Sequence, residues 1–347
     1  MKCGGFRVSY RSDERIFDTV LPIVGLLLLF AVLAVVPSFA TTYWMDVLNR
    51  IGIAIIGAIG LNILLGFTGQ ISIGHAAFLA VGAYSTAILE VNVGLPFFLA
   101  IPLGALITSG FGLIFGIPSL RLKGLYLAIA TLSAHFITTF VIVHWESMTK
   151  GVVGLSVPPA VVFGLPLDSD FRIFYLIYAL VVPATLFAKN LFRTRVGRAF
   201  IAVRDRDVAA SVMGVSLLRY KLLAFIVSSF YAGVAGGLMA HHSRILFPDS
   251  FTLLVAIDYL AMVIIGGMGS IVGSIFGAIF MTLLPEVLKL TATSLTGVYP
   301  QAFGFIASVR DVVFGLAVIF FLMYEPLGLA RIWVRFRSYW QLWPYSY

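Results

Sequence analysis

Side chains able to do chemistry are scarce in this sequence, and they gather in a few places. Residues 60–84 read GLNILLGFTGQISIGHAAFLAVGAY, where Asn62, Gln70, Ser72 and His75 stand among glycines. Their amide, hydroxyl and imidazole groups offer hydrogen bonds to a passing polar solute; the same groups would equally serve as caps for neighbouring backbone. Residues 193–221, RTRVGRAFIAVRDRDVAASVMGVSLLRYK, carry the consecutive charges Arg204, Asp205, Arg206 and Asp207. Asp258 lies inside the apolar run LLVAIDYLAMVIIGG, where a lone charge facing lipid costs several kcal/mol; it must face the protein interior or carry a proton. Glu90 and Glu286 fall near the ends of apolar runs, from which they would snorkel to the outer interface.

No catalytic residue and no metal site is predicted. His135 is isolated, and the neighbours His241 and His242 point to different faces of a helix with no third ligand nearby in sequence. The single cysteine, Cys3, has no partner for a disulfide within the sequence. No lysine follows a glycine, so the GK[ST] phosphate-binding signature is missing, and any ATP and Mg would be held by partner subunits.

The elements that position these residues follow from composition. Of the 347 residues 61% are hydrophobic and 11% charged, with a mean hydropathy of +1.05. So apolar a chain cannot cover its own core with polar surface, which excludes a soluble globular protein. Leu21 to Val36 runs LPIVGLLLLFAVLAVV without a polar break, which excludes an alternating membrane β-barrel. The expected fold is an all-α integral membrane protein, a bundle of about ten transmembrane helices with glycine-rich helix breaks. Spans are predicted at 20–39, 51–67, 71–90, 95–119, 124–144, 171–190, 221–243, 252–268, 271–292 and 309–324, with 51–67 and 252–268 short enough to re-enter instead of crossing. The first apolar run is too long for a cleavable signal and is expected to stay attached.

The formal net charge of +8 reports orientation here rather than nucleic acid. With the amino terminus inside, ten spans place the 23 lysines and arginines on the cytoplasmic side in a ratio of about three to one, so both termini are expected in the cytoplasm. The chain then divides into a cytoplasmic segment 1–19, a membrane domain 20–325 with a cytoplasmic excursion at about 193–220, and a cytoplasmic tail 326–347. Arg331, Trp333, Arg335, Arg337, Tyr339, Trp340 and Trp343 of that tail suit lipid headgroups. An outer loop is expected near 145–170.

Glycine does two jobs. Gly269, Gly273 and Gly277, then Gly112 with Gly116, and Gly233 with Gly237 form small-residue faces, fit for packing inside the bundle or against a second subunit. Around 66–75 and 266–277 the glycines instead break helices at membrane depth, which is tolerated only in a protein interior or beside a water-filled path. The spacings Gly66-x2-Gly69-x4-Gly74 and Gly266-x2-Gly269-x3-Gly273 agree loosely, as in the internal repeats of transporters.

In the cytoplasmic excursion, a short helix is predicted from Arg198 to Met213. Ala199, Val203, Ala210 and Met213 share its apolar side, and Gly214 closes it. Asp205 and Asp207 weaken attraction to anionic lipid, so a protein partner is favoured over the membrane surface. The stretch GRAFIAVRDRDVAASVMGVSLLRYKLLAFIVSSFYAGVAGGL at 197–238 resembles the ATPase-docking region of LivM-type permease subunits of the branched-chain amino acid ABC importer family. ISIGHAAFLAVGAY at 71–84, GLYLAIATL at 124–132, IGGMGSIVG at 265–273 and the closing LWPYSY extend the resemblance over nearly the whole chain after the first span.

The resemblance implies a subunit of an importer in the bacterial inner membrane. Its partners would be a second related permease, two cytoplasmic ATPases and a periplasmic solute-binding protein. Gly197, Arg198, Ala199, Val203, Arg204, Asp205, Asp207, Ala209, Ala210, Met213 and Gly214 would form the coupling helix. Relatives carry urea, amides or small aromatic acids; the segment around His75 looks more like the amino acid branch than the urea branch. One departure stands out: where the family commonly has T-G-G-x-x-G-L, this chain has Thr149-Lys150-Gly151-Val152-Val153-Gly154-Leu155. From the residues alone, Asp258 and the broken helices also leave open a gradient-driven secondary transporter.

Overall fold

The computed structural model describes residues 33–295 apart from 123, 163 and 164, together with Gly25 and most of 312–342. The predicted span 20–39, the segment 1–19 and the closing LWPYSY lie largely outside the described residues, as does part of the span 309–324. Each of the other eight predicted spans corresponds to a helix. These are α1 Thr42–Thr68, α2 His75–Val91, α3 Phe97–Gly116, α4 Leu125–His144, α5 Asp170–Leu191, α8 Leu217–Ser243, α9 Leu253–Gly266 and α10 Ile271–Leu295. Between α5 and α8 lie α6 Arg195–Asp205 and α7 Asp207–Val212, and α11 Gly328–Leu342 follows α10. Among the described residues seven helical segments are long and apolar enough to cross a membrane, and α2 is a shorter apolar helix.

α1 is the axis. It is 27 residues long and almost wholly buried, contacting α8, α9, α10 and α5, as expected of a helix apolar on every side. The predicted span 51–67 is therefore no re-entrant piece. Its outward extension was hidden by Asp46, Asn49 and Arg50, which the bundle absorbs: Asp46 and Arg50 pair at 2.7 Å one turn apart, and Asn49 Nδ2 donates to Asp170 O at 3.0 Å. α8, also 27 residues, packs on α1, α2 and α3. Close approach there runs through small residues: a Cβ at Gly233 would stand 2.6 Å from Ala105 Cα, and one at Gly82 would stand 2.5 Å from Gly233 Cα. The 112/116 and 233/237 faces are thus used inside this chain. Gly273 and Gly277 likewise pack on α9, whereas Gly269 lies before α10 in a left-handed turn and belongs to no helix face.

α9 has 14 residues, about 21 Å of helix, preceded by the 3-10 turn Pro248–Phe251, which lengthens the apolar segment to 19 residues. The loop at 145–170 holds the only strands of the described chain besides Ile245–Leu246. β1 Leu155–Ser156 pairs antiparallel with β4 Ile245–Leu246, Leu155 facing Leu246, and β2 Val161–Val162 pairs with β3 Leu165–Pro166. Val157 N donates to Arg244 O at 2.7 Å, fastening this loop to the end of α8.

Candidate coupling and translocation site

The two glycine-rich breaks, far apart in sequence, are one place in the fold. α1 ends at Gly69, whose left-handed backbone lets the Gly69 and Gln70 amides donate to the Leu65 and Leu64 carbonyls, each at 3.1 Å. The second break follows α9. Asn62 joins them: its Nδ2 donates to Ser270 O at 2.9 Å and to Ser274 Oγ at 2.7 Å, while its Oδ1 accepts the Gly269 amide at 2.9 Å. Gly66 faces the Gly269 amide so closely that a side chain there would collide with that backbone and with Asn62. The loose match of the two glycine spacings therefore corresponds to a direct contact.

The four residues predicted for a path are all buried; Asn62 lies in this junction and Gln70 directly follows it, while His75 meets α1 at Gly57, nine residues before Gly66. Asn62 is fully engaged as the tie. Gln70 Nε2 donates to Thr68 Oγ1 at 3.0 Å and to Lys221 O at 3.4 Å. His75 begins α2, its Nε2 at 3.0 Å from the Gly57 carbonyl and its ring 5.4 Å from that of Tyr259. Gln70 Oε1, Ser72 Oγ and His75 Nδ1 are buried without a hydrogen-bond partner among the described residues. Buried polar atoms are rarely left so.

The excursion between α5 and α8 differs from its predicted form. The single helix 198–213 is two, because Arg206 is extended (φ −156°, ψ 97°) between α6 and α7. Gly197, Ala199, Phe200, Val203 and Ala210 are buried against the membrane domain. Met213 does not share that side; it is 83% exposed and stands with Val208 and Val212 in an apolar knob. The break at Arg206 reorients everything after it, so the helical spacing that grouped Met213 with Ala199 does not apply. Gly214 does close the segment, left-handed at φ 84°, with its amide donating to Ser211 O and that of Val215 to Ala210 O. Arg198, Asp205 and Ala209 are exposed and Asp207 is half-buried.

Arg204 turns toward the membrane domain. Its Nη1 donates to Gly66 O at 3.0 Å, its Nε pairs with Asp205 at 2.9 Å, and its stem lies over Gly69. The excursion is thereby bonded to the last turn of α1 at the point where both glycine breaks meet.

At the opposite end of α1 lies a cleft of about 1270 Å³ between α1, α8, α9 and α10. Glu286 is not at the surface as a snorkelling residue would be. Its side chain is 1% exposed, bonded to Tyr43 Oη and Lys289, and 3.0 Å from Arg50 Nη2. Glu90 is likewise buried, with His241 Nε2 2.9 Å from its carboxylate. His242 Nε2 lies 3.0 Å from Asp46. Asp258 lines the cleft. Apart from the i, i+3 pair of Glu286 and Lys289, these pairings join residues too distant in sequence for any local pattern to reveal. The exposed knob, by contrast, had a signal in the i, i+4 pair Val208 and Val212.

Comparison with known proteins agrees with this architecture. The profile of the family described as "Branched-chain amino acid transport system / permease component" matches residues 43–322. The chain is 33% identical to the high-affinity branched-chain amino acid transport system permease protein LivM of Salmonella typhimurium, the match covering 78% of this chain and 70% of that one. For LivM of Escherichia coli the figures are 34%, 73% and 65%. A probable branched-chain amino acid transport permease protein LivH of Methanocaldococcus jannaschii is 25% identical over 79% of this chain and 87% of its own length. The chain belongs to the branched-chain amino acid transport permease family, and it is a multi-pass membrane permease component.

Proposed function

We propose that this chain is one of two related permease subunits of an ATP-driven importer, moving branched-chain amino acids inward across a bacterial inner membrane. Two cytoplasmic ATPases, which carry the ATP and Mg, dock on α6 and α7; a periplasmic binding protein delivers solute to the other side; both termini are cytoplasmic. The observation that carries this reading is the two-sided form of the excursion. Its outer side is the knob Val208, Val212 and Met213, exposed by 69%, 82% and 83%, apolar surface that asks for a protein partner. Its inner side is bonded through Arg204 to Gly66, so a displacement imposed on the knob is delivered to the breaks of α1 and α9. The unpaired Gln70, Ser72 and His75 atoms are groups that a polar solute would satisfy.

The test is Val208→Asp with Val212→Asp in the complete complex. The chain is expected to stay in the membrane while the ATPases cease to co-purify in fixed proportion and amino acid uptake falls more than tenfold. Undiminished uptake by that variant overturns the docking assignment. Uptake by the wild type that a protonophore abolishes while ATP remains would replace the importer with a gradient-driven transporter.

A further inference from the structure

The cleft at the far end of α1 is chemically unlike the rest of the membrane domain. One wall, with Ile53, Val255, Met262 and Met281, is apolar except for Asp258, which shares the face of α9 that carries Val255 and Met262. The other carries charges of both signs in close alternation: Arg50 lies between Asp46 at 2.7 Å and Glu286 at 3.0 Å, and Lys289 stands 3.3 Å beyond Glu286. A site for a simple cation or anion would be lined by a single sign. Alternating charges beside an aliphatic wall suit a ligand that carries a carboxylate, an ammonium and an apolar body.

We propose that this cleft is the permease's own binding site for a zwitterionic amino acid with an aliphatic side chain. The proposal rests on the importer reading and gives it a location. Arg50 takes the carboxylate. Its guanidinium is a planar fork made for that group, held in place through Nη2 by Asp46 and Glu286. The Arg50 side chain is 41% exposed, within reach of a ligand, whereas Glu286 is buried behind it and fixes its orientation. Asp46, 39% exposed on the same turn of α1, takes the ammonium. The aliphatic side chain lies against Val255 and Met262, the thioether adapting to branched shapes.

The floor is Tyr259. Its ring rests on Gly57 and meets that of His75, so a ligand in the cleft is separated by one aromatic side chain from the residue that opens α2. Arg50 and Gly66 lie about 24 Å apart along α1, which places binding site and coupling contact on one helix at opposite membrane faces.

Thiol protection tests the site without requiring transport. Val255→Cys, made in a Cys3→Ser background and assembled with its partner subunits, is exposed to a membrane-impermeant thiol reagent. Millimolar L-leucine is expected to slow its modification at least fivefold. Leucinamide, lacking the carboxylate, and 4-methylpentanoate, lacking the ammonium, are expected not to. Absence of labelling, absence of protection by L-leucine, or equal protection by either analogue overturns the proposal. Because the assay reads binding alone, it can fail while ATP-driven import stands, and succeed where import fails. In uptake measurements Arg50→Gln is expected to reduce L-leucine import at least tenfold. The exchanged pair Arg50→Glu with Glu286→Arg is expected to remain as impaired; recovery by the exchange would make the pair a mere link between helices and overturn the role of Arg50.

Discussion

The two ends of α1 are closed in opposite ways. At the Gly66 end, backbone and amide groups meet at close range: glycine faces glycine, one asparagine makes three hydrogen bonds, and a single guanidinium, that of Arg204, reaches a carbonyl. At the Asp46 end, charged side chains of α1 and α10, with His242 of α8, meet around an open cleft. The first arrangement has no slack, because backbone cannot yield to a side chain. At the second, the half-exposed pair of Asp46 and Arg50 can exchange partners, because an exposed ion pair costs little to open, while the buried Glu286 keeps Arg50 in place. A helix held rigidly at one end and exchangeably at the other can respond to ligand at the second and to force at the first.

This contrast is broken most severely at Gly66. A methyl group there would strike Asn62 and the Gly269 amide, neither of which is free to move without giving up the hydrogen bond between them. Gly66→Ala is expected to cost roughly 3 kcal/mol, overpacking added to an orphaned buried amide, and to lower the melting temperature of the detergent-solubilised complex. Asn62→Ala removes the same bonds without the collision and is expected to cost about 2 kcal/mol. A Gly66→Ala protein as stable as the wild type would mean that the junction has slack after all.

The ion pairs should give a much smaller signal. Asp46 and Arg50 are two-fifths exposed, so a double-mutant cycle on thermal stability is expected to assign them about 0.5 kcal/mol, falling further as salt is raised. The Asn62 contribution, being neutral and buried, should not change with salt. A coupling above about 2 kcal/mol between Asp46 and Arg50 would erase the distinction between the two ends.

How much of this was legible in the sequence follows from the same distinction. Apolar runs announce helices, and α3, α4, α5 and α10 begin within two residues of their predicted starts. The boundary of α1 was misplaced by nine residues because Asp46, Asn49 and Arg50 look like a loop until their partners on α5, α8 and α10 are known. Glycine spacing pointed to the junction, since a broken helix at membrane depth must be covered by protein. It carried no information that Gly66 and Gly269 touch. Arg204 was singled out within the docking segment, but its direction depends on the extended Arg206 that follows and on where α1 ends. Of the charged cleft only the i, i+4 pair Asp46 and Arg50 and the i, i+3 pair Glu286 and Lys289 leave a local pattern; that the two pairs meet does not.

The smallest effect expected concerns the departure at Lys150. After the helical turn Glu146–Thr149 this residue takes a left-handed conformation, φ 61° and ψ 11°, with its amide bonded to Glu146 O at 3.1 Å. That is the position where helices prefer glycine. A side chain there costs about 1 to 2 kcal/mol, and glycine would return part of that to the greater freedom of the unfolded chain, so Lys150→Gly is expected to stabilise the fold by roughly 0.5 kcal/mol. Arg244 has the same left-handed backbone at the end of α8 and supplies the control. Its guanidinium is bonded to the carbonyl of Asp168 and holds the 145–170 loop down, so Arg244→Gly relieves similar strain but forfeits that anchor. The two substitutions should move the melting temperature in opposite directions; a shift of the same sign in both would mean that backbone strain, not the loop anchor, governs that face of the protein.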